Sequence, residues 1–445
     1  MNRPSHHLSL SKMALCGGAV AATAAISLFG PGLGRVRAAL QDSPKAVIDE
    51  AWQIVNREYV DSSFNRVNWQ AERQILLDKS YSSRQEAYAA LRKSLEKLDD
   101  PYTRFMDPKQ YEALSNQTSG EVSGVGIRLE VNEKTKLLTV VEPIENSPAS
   151  RAGIQSGDHI LSINGKSTRG MSVEDASSLI RGEVGTKVSL EIRRGTTPNS
   201  FTVSLMRARI ELPTVRYSLK QEGNNRIGYI RLNEFSAHAA EQMRRAIQDL
   251  SKQDVNGFVL DLRGNPGGLL QASIEISRMW MDQGAIVRTV DRRGKDEEVS
   301  ANQTALTKLP LVVLVDGNSA SSSEILTGAL KDNGRATIVG SQTFGKALVQ
   351  SVHNLADGSG LAVTIAHYYT PKGTDISHKG ITPDVKIDLT ESDQKKLLSD
   401  PKLLATLQDP QYARAVAELE KIILAQPQPN APDKQAVAIP QHKIP

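Results

Sequence analysis

Over residues 46–117, Ile48, Ala51, Trp52, Val55 and Tyr59 recur at three- and four-residue spacing, the period of one buried helix face. Ser83, with Glu86 three residues on, reads as a capping box ahead of Ala87, Leu91, Leu95 and Leu98, and Asp100-Pro101 ends that run. This predicts a small helical segment. Over 119–209 the period shortens to two, as in Val188, Leu190 and Ile192, which predicts short strands with one buried face. One helix interrupts them, entered at Ser172 with Glu174 and Asp175 in its first turn, where carboxylates suit the helix dipole. Over 226–389 strand and helix patterns alternate, the order of a layered α/β domain. Residues 258–262 and 311–315 read as buried strands, and 237–250 and 321–330 as helices. A last amphipathic stretch carries Tyr412, Val416, Leu419 and Ile423, and the tail 426–445, with five prolines in twenty residues, is expected to be disordered.

Composition adds two constraints. The chain of 445 residues is 39% hydrophobic and 23% charged, a globular composition of a length that suggests roughly three domains. Of its 54 basic residues, Arg3, Lys12, Arg35 and Arg37 fall in the first 38 positions, which hold no acid. Beyond them basic and acidic residues are equal at 50 each, so charge makes no case for nucleic acid. The basic start, the apolar stretch 13–29, the Gly30-Pro31-Gly32 break and Val36-Arg37-Ala38 are the parts of a secretory signal, with cleavage expected after Ala38. A retained anchor is the alternative, but the stretch is shorter than the roughly 20 apolar residues a spanning helix needs. The single cysteine, Cys16, lies inside this segment, so the remainder is expected to use no disulfide and no thiol chemistry. The six histidines after His7 show no ligand spacing, so no metal and no cofactor is expected.

The punctuation of 119–209 is more specific than its strands. Gly124-Val125-Gly126-Ile127 opens a strand, Ser147-Pro148-Ala149 leads to Ala152-Gly153-Ile154, and Gly157-Asp158-His159-Ile160 precedes Ile163-Asn164-Gly165. As a set these resemble a PDZ domain. That resemblance implies that the loop at Gly124, Val125, Gly126 and Ile127 presents backbone N–H groups to a peptide carboxylate while the peptide adds a strand. Glycines permit such close backbone approach.

Three segments of the α/β region carry candidate chemistry. The stretch Asp316-Gly317-Asn318-Ser319-Ala320-Ser321-Ser322-Ser323-Glu324 joins a buried strand to a helix and places serine hydroxyls at a helix N-terminus. Thr343-Phe344-Gly345-Lys346-Ala347-Leu348-Val349-Gln350 sets one lysine in apolar surroundings, where desolvation would lower its pKa and suit it as a base. Asp261-Leu262-Arg263-Gly264-Asn265-Pro266-Gly267-Gly268 ends a strand in a glycine-rich turn able to aim N–H groups at an oxyanion. As a phosphate cradle it lacks the required spacing, and Pro266 removes a donor.

Together these motifs resemble the carboxyl-terminal processing peptidases over roughly residues 45–390. The resemblance implies a multidomain α+β protein. Its parts would be a signal peptide (1–38), a helical N-terminal domain (39–117), a β-sandwich-like PDZ domain (118–210), an S41-type α/β core related to ClpP and the crotonases (211–390), and a C-terminal helix with its tail (391–445). It implies Ser321 as nucleophile, Lys346 as base, Gln350 as the residue orienting the lysine, and Asp332 as a further active-site carboxylate. The oxyanion donors would be the N–H groups of Ser322 and Gly268, with Gly267 as the alternative, and Arg181 would couple peptide binding to active-site assembly. Ser322 stands where the family usually has alanine, and Ala347 where it usually has glycine, so the choice among Ser319, Ser321, Ser322 and Ser323 rests on alignment to Glu324. The rival base is His353 or His367; the rival function is an inactive exported PDZ scaffold or chaperone. The run from Asp357 and the run from Thr370 resemble the cyanobacterial and plastid branch, which implies the periplasm or thylakoid lumen and the photosystem II D1 precursor as a substrate. Partners would be proteins with free, apolar C-termini, with room for peripheral membrane association. Oligomeric state is not legible.

Overall fold

The computed structural model describes residues 43–132, 135–195 and 199–425. The expected signal peptide and proline-rich tail lie outside the described residues. The helix Pro44–Glu58 begins at Ser43 and buries Ile48, Ala51, Trp52 and Val55. It packs with Trp69–Asp78 and Arg84–Glu96 around a core that includes Leu91, Leu95 and Leu98. The capping box expected at Ser83 is only half made. Its hydroxyl accepts from the Glu86 N–H, while the Glu86 carboxylate turns to the N–H of Ser82 at 2.9 Å.

The sequence pattern predicts only helices here, yet the segment also contributes a strand. Arg104–Met106 pairs antiparallel with Gly360–Tyr369, some 250 residues away in the chain. Three residues are too few to show alternation. The helix Pro108–Ser119, held by a complete capping box of Asp107 and Gln110, then leads to a two-stranded ribbon of Glu121–Gly124 and Ala208–Glu211.

The ribbon frames a small unit whose sheet runs Ile127–Val131, Leu138–Pro143, His159–Ile163, Lys187–Arg193, Ser200–Met206. Val188, Leu190 and Ile192 point inward onto Ile160, Ile163 and the helix Val173–Ile180. The Ser172 hydroxyl caps that helix by accepting from Asp175 N.

The α/β region is built on a six-stranded sheet in the order Val215–Glu222, Asn225–Leu232, Gly257–Asp261, Leu311–Val315, Thr337–Gly340, Val385–Lys386. The first pair is antiparallel and the rest parallel. Phe258, Leu260, Val313 and Val315 face the helices Ala239–Ser251, Leu270–Trp280 and Ser322–Asp332. Val259, Val312 and Leu314 face the other way, onto Tyr412, Ala415, Val416 and Leu419 of the helix Pro410–Ala425. Both faces are covered, which is why these strands read as apolar runs without alternation. The C-terminal helix is therefore one wall of this core rather than an appendage to it.

A second sheet lies beside the first. Its long strand Gly360–Tyr369 has Leu348–Asn354 on one edge, and Arg104–Met106 and Ala285–Asp291 on the other.

Candidate active site

The strand Leu311–Val315 ends in a loop that the helix Ser322–Asp332 continues, and the serines along it have different surroundings. Ser319, Ser322 and Ser323 are buried, each at 1% exposure or less. Their hydroxyls donate to the carbonyls of Leu262 (2.9 Å), Gly268 (3.0 Å) and Asn265 (2.9 Å), which zips the loop onto the turn 262–268. Ser322 thus uses the hydroxyl that alanine would lack. Ser321 alone among the four is not buried. Its backbone sits at φ 55°, ψ −115°, a region costing a non-glycine residue about 1–3 kcal/mol and met at functional turns.

The facing turn is shaped by Asn265, whose side chain donates to Leu232 O and accepts from Gly267 N at 2.9 Å. That bond occupies the Gly267 N–H. The N–H groups of Gly268 and Ser322 donate to nothing among the described residues. Gly267 (φ 105°) and Gly268 (φ 139°) must both be glycine: a Cβ would lie 2.8 Å from Ser321 Cβ at the first and 2.4 Å from Phe235 O at the second. The turn therefore rests directly against Ser321.

Lys346 comes from the approach to the strand Leu348–Asn354, and Gln350 follows a bulge at Val349, a device that re-aims a side chain. Lys346 Nζ donates to Gln350 Oε1 at 2.8 Å, and Gln350 Nε2 donates to Tyr102 O at 2.6 Å. These two bonds fix which way the amide faces. Burial pushes the lysine amine below its ordinary value; Arg104 adds to the shift, and Asp100 and Glu324 oppose it. No hydrogen bond joins Lys346 Nζ to the Ser321 hydroxyl.

Two residues that sequence reasoning did not give a role hold the site together. The carboxylate of Glu324, used in the sequence only as an alignment marker, accepts from the N–H of Ser321 and of Lys346, both at 2.9 Å, from Gly345 N at 2.7 Å and from the Thr343 hydroxyl at 2.6 Å. Burial raises its pKa despite these four donors. The Tyr368 hydroxyl lies at 3.1 Å from Ser321 O and also reaches Lys346 O. The backbones of Ser321 and Lys346 are thus clamped together from both sides. Serine three residues before a glutamate in a helical first turn was a usable signal for Glu324; Tyr368 had none.

Asp332 is placed elsewhere. It lies at the far end of the helix, roughly 16 Å of helix from Ser321, and accepts from Lys372 N at 3.0 Å. No hydrogen bond or ion pair among the described residues joins that carboxylate to Ser321 or Lys346. His353 is bonded to Glu58 at 2.7 Å, and His367 lies exposed on its strand. Among the described residues no cluster of histidine, cysteine and carboxylates could hold a metal.

In the smaller unit, the carbonyls of Val125 and Gly126 accept from Ala149 N and Ile144 N, which fixes the loop. The loop lines a cleft of about 310 Å³ together with Leu129, Ile180 and Arg181. Arg181, at the C-terminal end of the helix Val173–Ile180, is exposed and has no ion-pair partner among the described residues.

The Peptidase family S41 profile matches residues 226–387, and a PDZ domain profile matches 139–194. A carboxyl-terminal-processing protease of Picosynechococcus is 46% identical over 81% of this chain and 86% of its own length. A chloroplastic C-terminal processing peptidase of Tetradesmus obliquus is 39% identical over 76% of each. A solved photosystem II D1 C-terminal processing protease is 38% identical, with a TM-score of 0.48 over 78% of this chain and 93% of that one. On the two profile matches and the identity across most of its length, the chain belongs to the carboxyl-terminal-processing proteases of peptidase family S41 and is a serine-type peptidase.

Proposed function

We propose that this peptidase works by a Ser/Lys dyad on a crotonase-related core, with Ser321 as nucleophile, Lys346 as general base and Gln350 orienting the amine. The observation that carries the reading is the clamp: Glu324 and Tyr368 tie the backbones of Ser321 and Lys346 together, while the neighbouring serines are buried and bonded elsewhere. Neutral Lys346 takes the Ser321 Oγ proton as the oxygen attacks the scissile carbonyl carbon. The carbonyl oxygen becomes an oxyanion between the N–H groups of Gly268 and Ser322. The ammonium then protonates the leaving amine, and a water molecule, giving its proton to Lys346, hydrolyses the acyl ester. One N–H of the amine is committed to Gln350, so its lone pair stays available for serine.

The cleft at 124–127 receives the substrate C-terminus by strand addition beside Ile127–Val131, the loop N–H groups meet its carboxylate, and Arg181, which lines the same cleft, couples that binding to assembly of the active site. Its apolar lining, Val125, Ile127, Leu129 and Ile180, favours apolar C-termini. Export by the 1–38 signal to periplasm or thylakoid lumen, and the D1 precursor as first substrate to try, find support in relatives from a cyanobacterium and a chloroplast. Of the five-part division, the helix Pro410–Ala425 is counted with the core, whose second face it covers.

The test is intact mass of a protein with an apolar C-terminal extension after incubation with residues 39–445 and with the Ser321→Ala and Lys346→Ala variants. Shortening by the unaltered protein and by neither variant is expected. Shortening by Lys346→Ala would end the dyad reading, and the His353→Ala and His367→Ala variants would then identify another base.

A further inference from the structure

Lys346 is surrounded in part by a segment outside the matched peptidase region. The turn at 100–104 belongs to the N-terminal segment, and Asp100 builds it: its carboxylate accepts from Tyr102 N at 2.9 Å and from the Thr103 hydroxyl at 2.7 Å. Thr103, buried, then accepts from Thr364 N at 3.0 Å, and Arg104–Met106 pairs with the same strand Gly360–Tyr369. The turn is therefore docked rigidly beside the lysine. Its Tyr102 does two things there. The carbonyl receives Gln350 Nε2, so that Gln350 Oε1 is the end offered to Lys346. The ring lies over Lys346 Nζ, 4.5 Å from ring centroid to nitrogen.

We propose that Tyr102 is a positioning residue for the base: its carbonyl sets the orientation of Gln350, and its ring walls Lys346 from water. The N-terminal segment is on this account a part of the active site rather than a cap. Among the described residues nothing else employs the ring. Tyr102 is only half-buried, belongs to none of the buried apolar clusters, and its hydroxyl makes no hydrogen bond among the described residues. The charged groups facing Lys346 are Arg104 and Asp100 on the same turn and Glu324 on the helix Ser322–Asp332. Burial is the largest influence on the amine. A cation over an aromatic face favours the charged lysine, but only by a modest amount at a half-open site. Removing the ring should therefore admit water and move the base toward its ordinary, higher pKa.

The inference rests on Lys346 acting as base, and the experiment separates the two. Residues 39–445 with Tyr102→Ala, Tyr102→Phe or Lys346→Ala are compared for kcat and KM on a C-terminally extended protein between about pH 6 and 10, together with Tm. Tyr102→Ala is expected to lower kcat about tenfold to a hundredfold with KM within about twofold, and to move the ascending pH limb upward. Tyr102→Phe, which restores the ring, is expected to recover most of the rate and the original limb. Unchanged kcat in Tyr102→Ala, or a loss of kcat with an unmoved or lowered limb, would overturn the proposal. An inactive Lys346→Ala beside a normal Tyr102→Ala removes only this inference; an active Lys346→Ala removes the dyad and this inference with it.

Discussion

Glu324 makes the site's geometry and its electrostatics one problem. Its carboxylate must stay ionised to accept from Ser321 N, Lys346 N, Gly345 N and Thr343 Oγ1, yet burial raises its pKa, so the clamp weakens on the acid side sooner than an ordinary carboxylate would. Lys346 carries the opposite sign. Its pKa is lowered, so between the folded value and the ordinary 10.5 the folded protein binds fewer protons than the unfolded chain, and stability rises with pH across that window. The neutral base becomes populated over the same window. The kcat/KM profile of residues 39–445 should therefore climb with pH along a limb whose midpoint lies below 10.5. A midpoint at or above 10.5 would mean that Lys346 is not the desolvated base described here. At this scale the residue types proposed to react were legible in the sequence, because serine before a helix and lysine among apolar neighbours are local patterns. Which serine lies open was not legible, since it depends on three hydroxyls meeting carbonyls of a turn more than fifty residues away.

The turn 262–268 and the helix Ser322–Asp332 each offer one N–H, of Gly268 and Ser322, that meets no acceptor among the described residues. The geometry leaves no room for a side chain at Gly268, where a Cβ would meet Phe235 O at 2.4 Å at a φ of 139°. Gly268→Ala should displace that N–H and lower kcat by about a hundredfold to a thousandfold, the loss expected for one oxyanion donor. Binding of a C-terminal peptide to the cleft at 124–127, followed by titration calorimetry, should stay unchanged. Loss of both together would show general misfolding instead. Element types followed from local periodicity: the strands Gly257–Asp261 and Leu311–Val315, the helix Ala239–Ser251 and the alternating strand Lys187–Arg193 lie where the pattern puts them. The strand Arg104–Met106 escaped because three residues carry no period, and it exists only by virtue of its partner.

Across the whole molecule, the chain's far end returns to brace the catalytic turn. Arg263 is bound to Asp261 and, through its two terminal guanidinium nitrogens, to Asp409 at 3.0 and 2.8 Å, with all three residues buried. Asp409 directly precedes the helix Pro410–Ala425 that covers the second face of the sheet. Removing one partner leaves part of a buried charge uncompensated, so Asp409→Ala should cost about 3 kcal/mol in denaturant unfolding. A cost below about 0.5 kcal/mol would show that water replaces the carboxylate. The sequence by itself determined the family, the PDZ unit, the α/β core and the Ser, Lys and Gln proposed to carry the chemistry, because periodicity and short motifs are set by neighbouring residues. The tertiary structure alone decided that Ser321 is the open serine, that Gly268 rather than Gly267 keeps its N–H, that Asp332 stands apart, and that Tyr102 and Asp409 from the two ends of the chain meet the site. Those contacts join residues up to 248 positions apart, and such pairing is settled by strand register and packing, which leave no local trace in the chain.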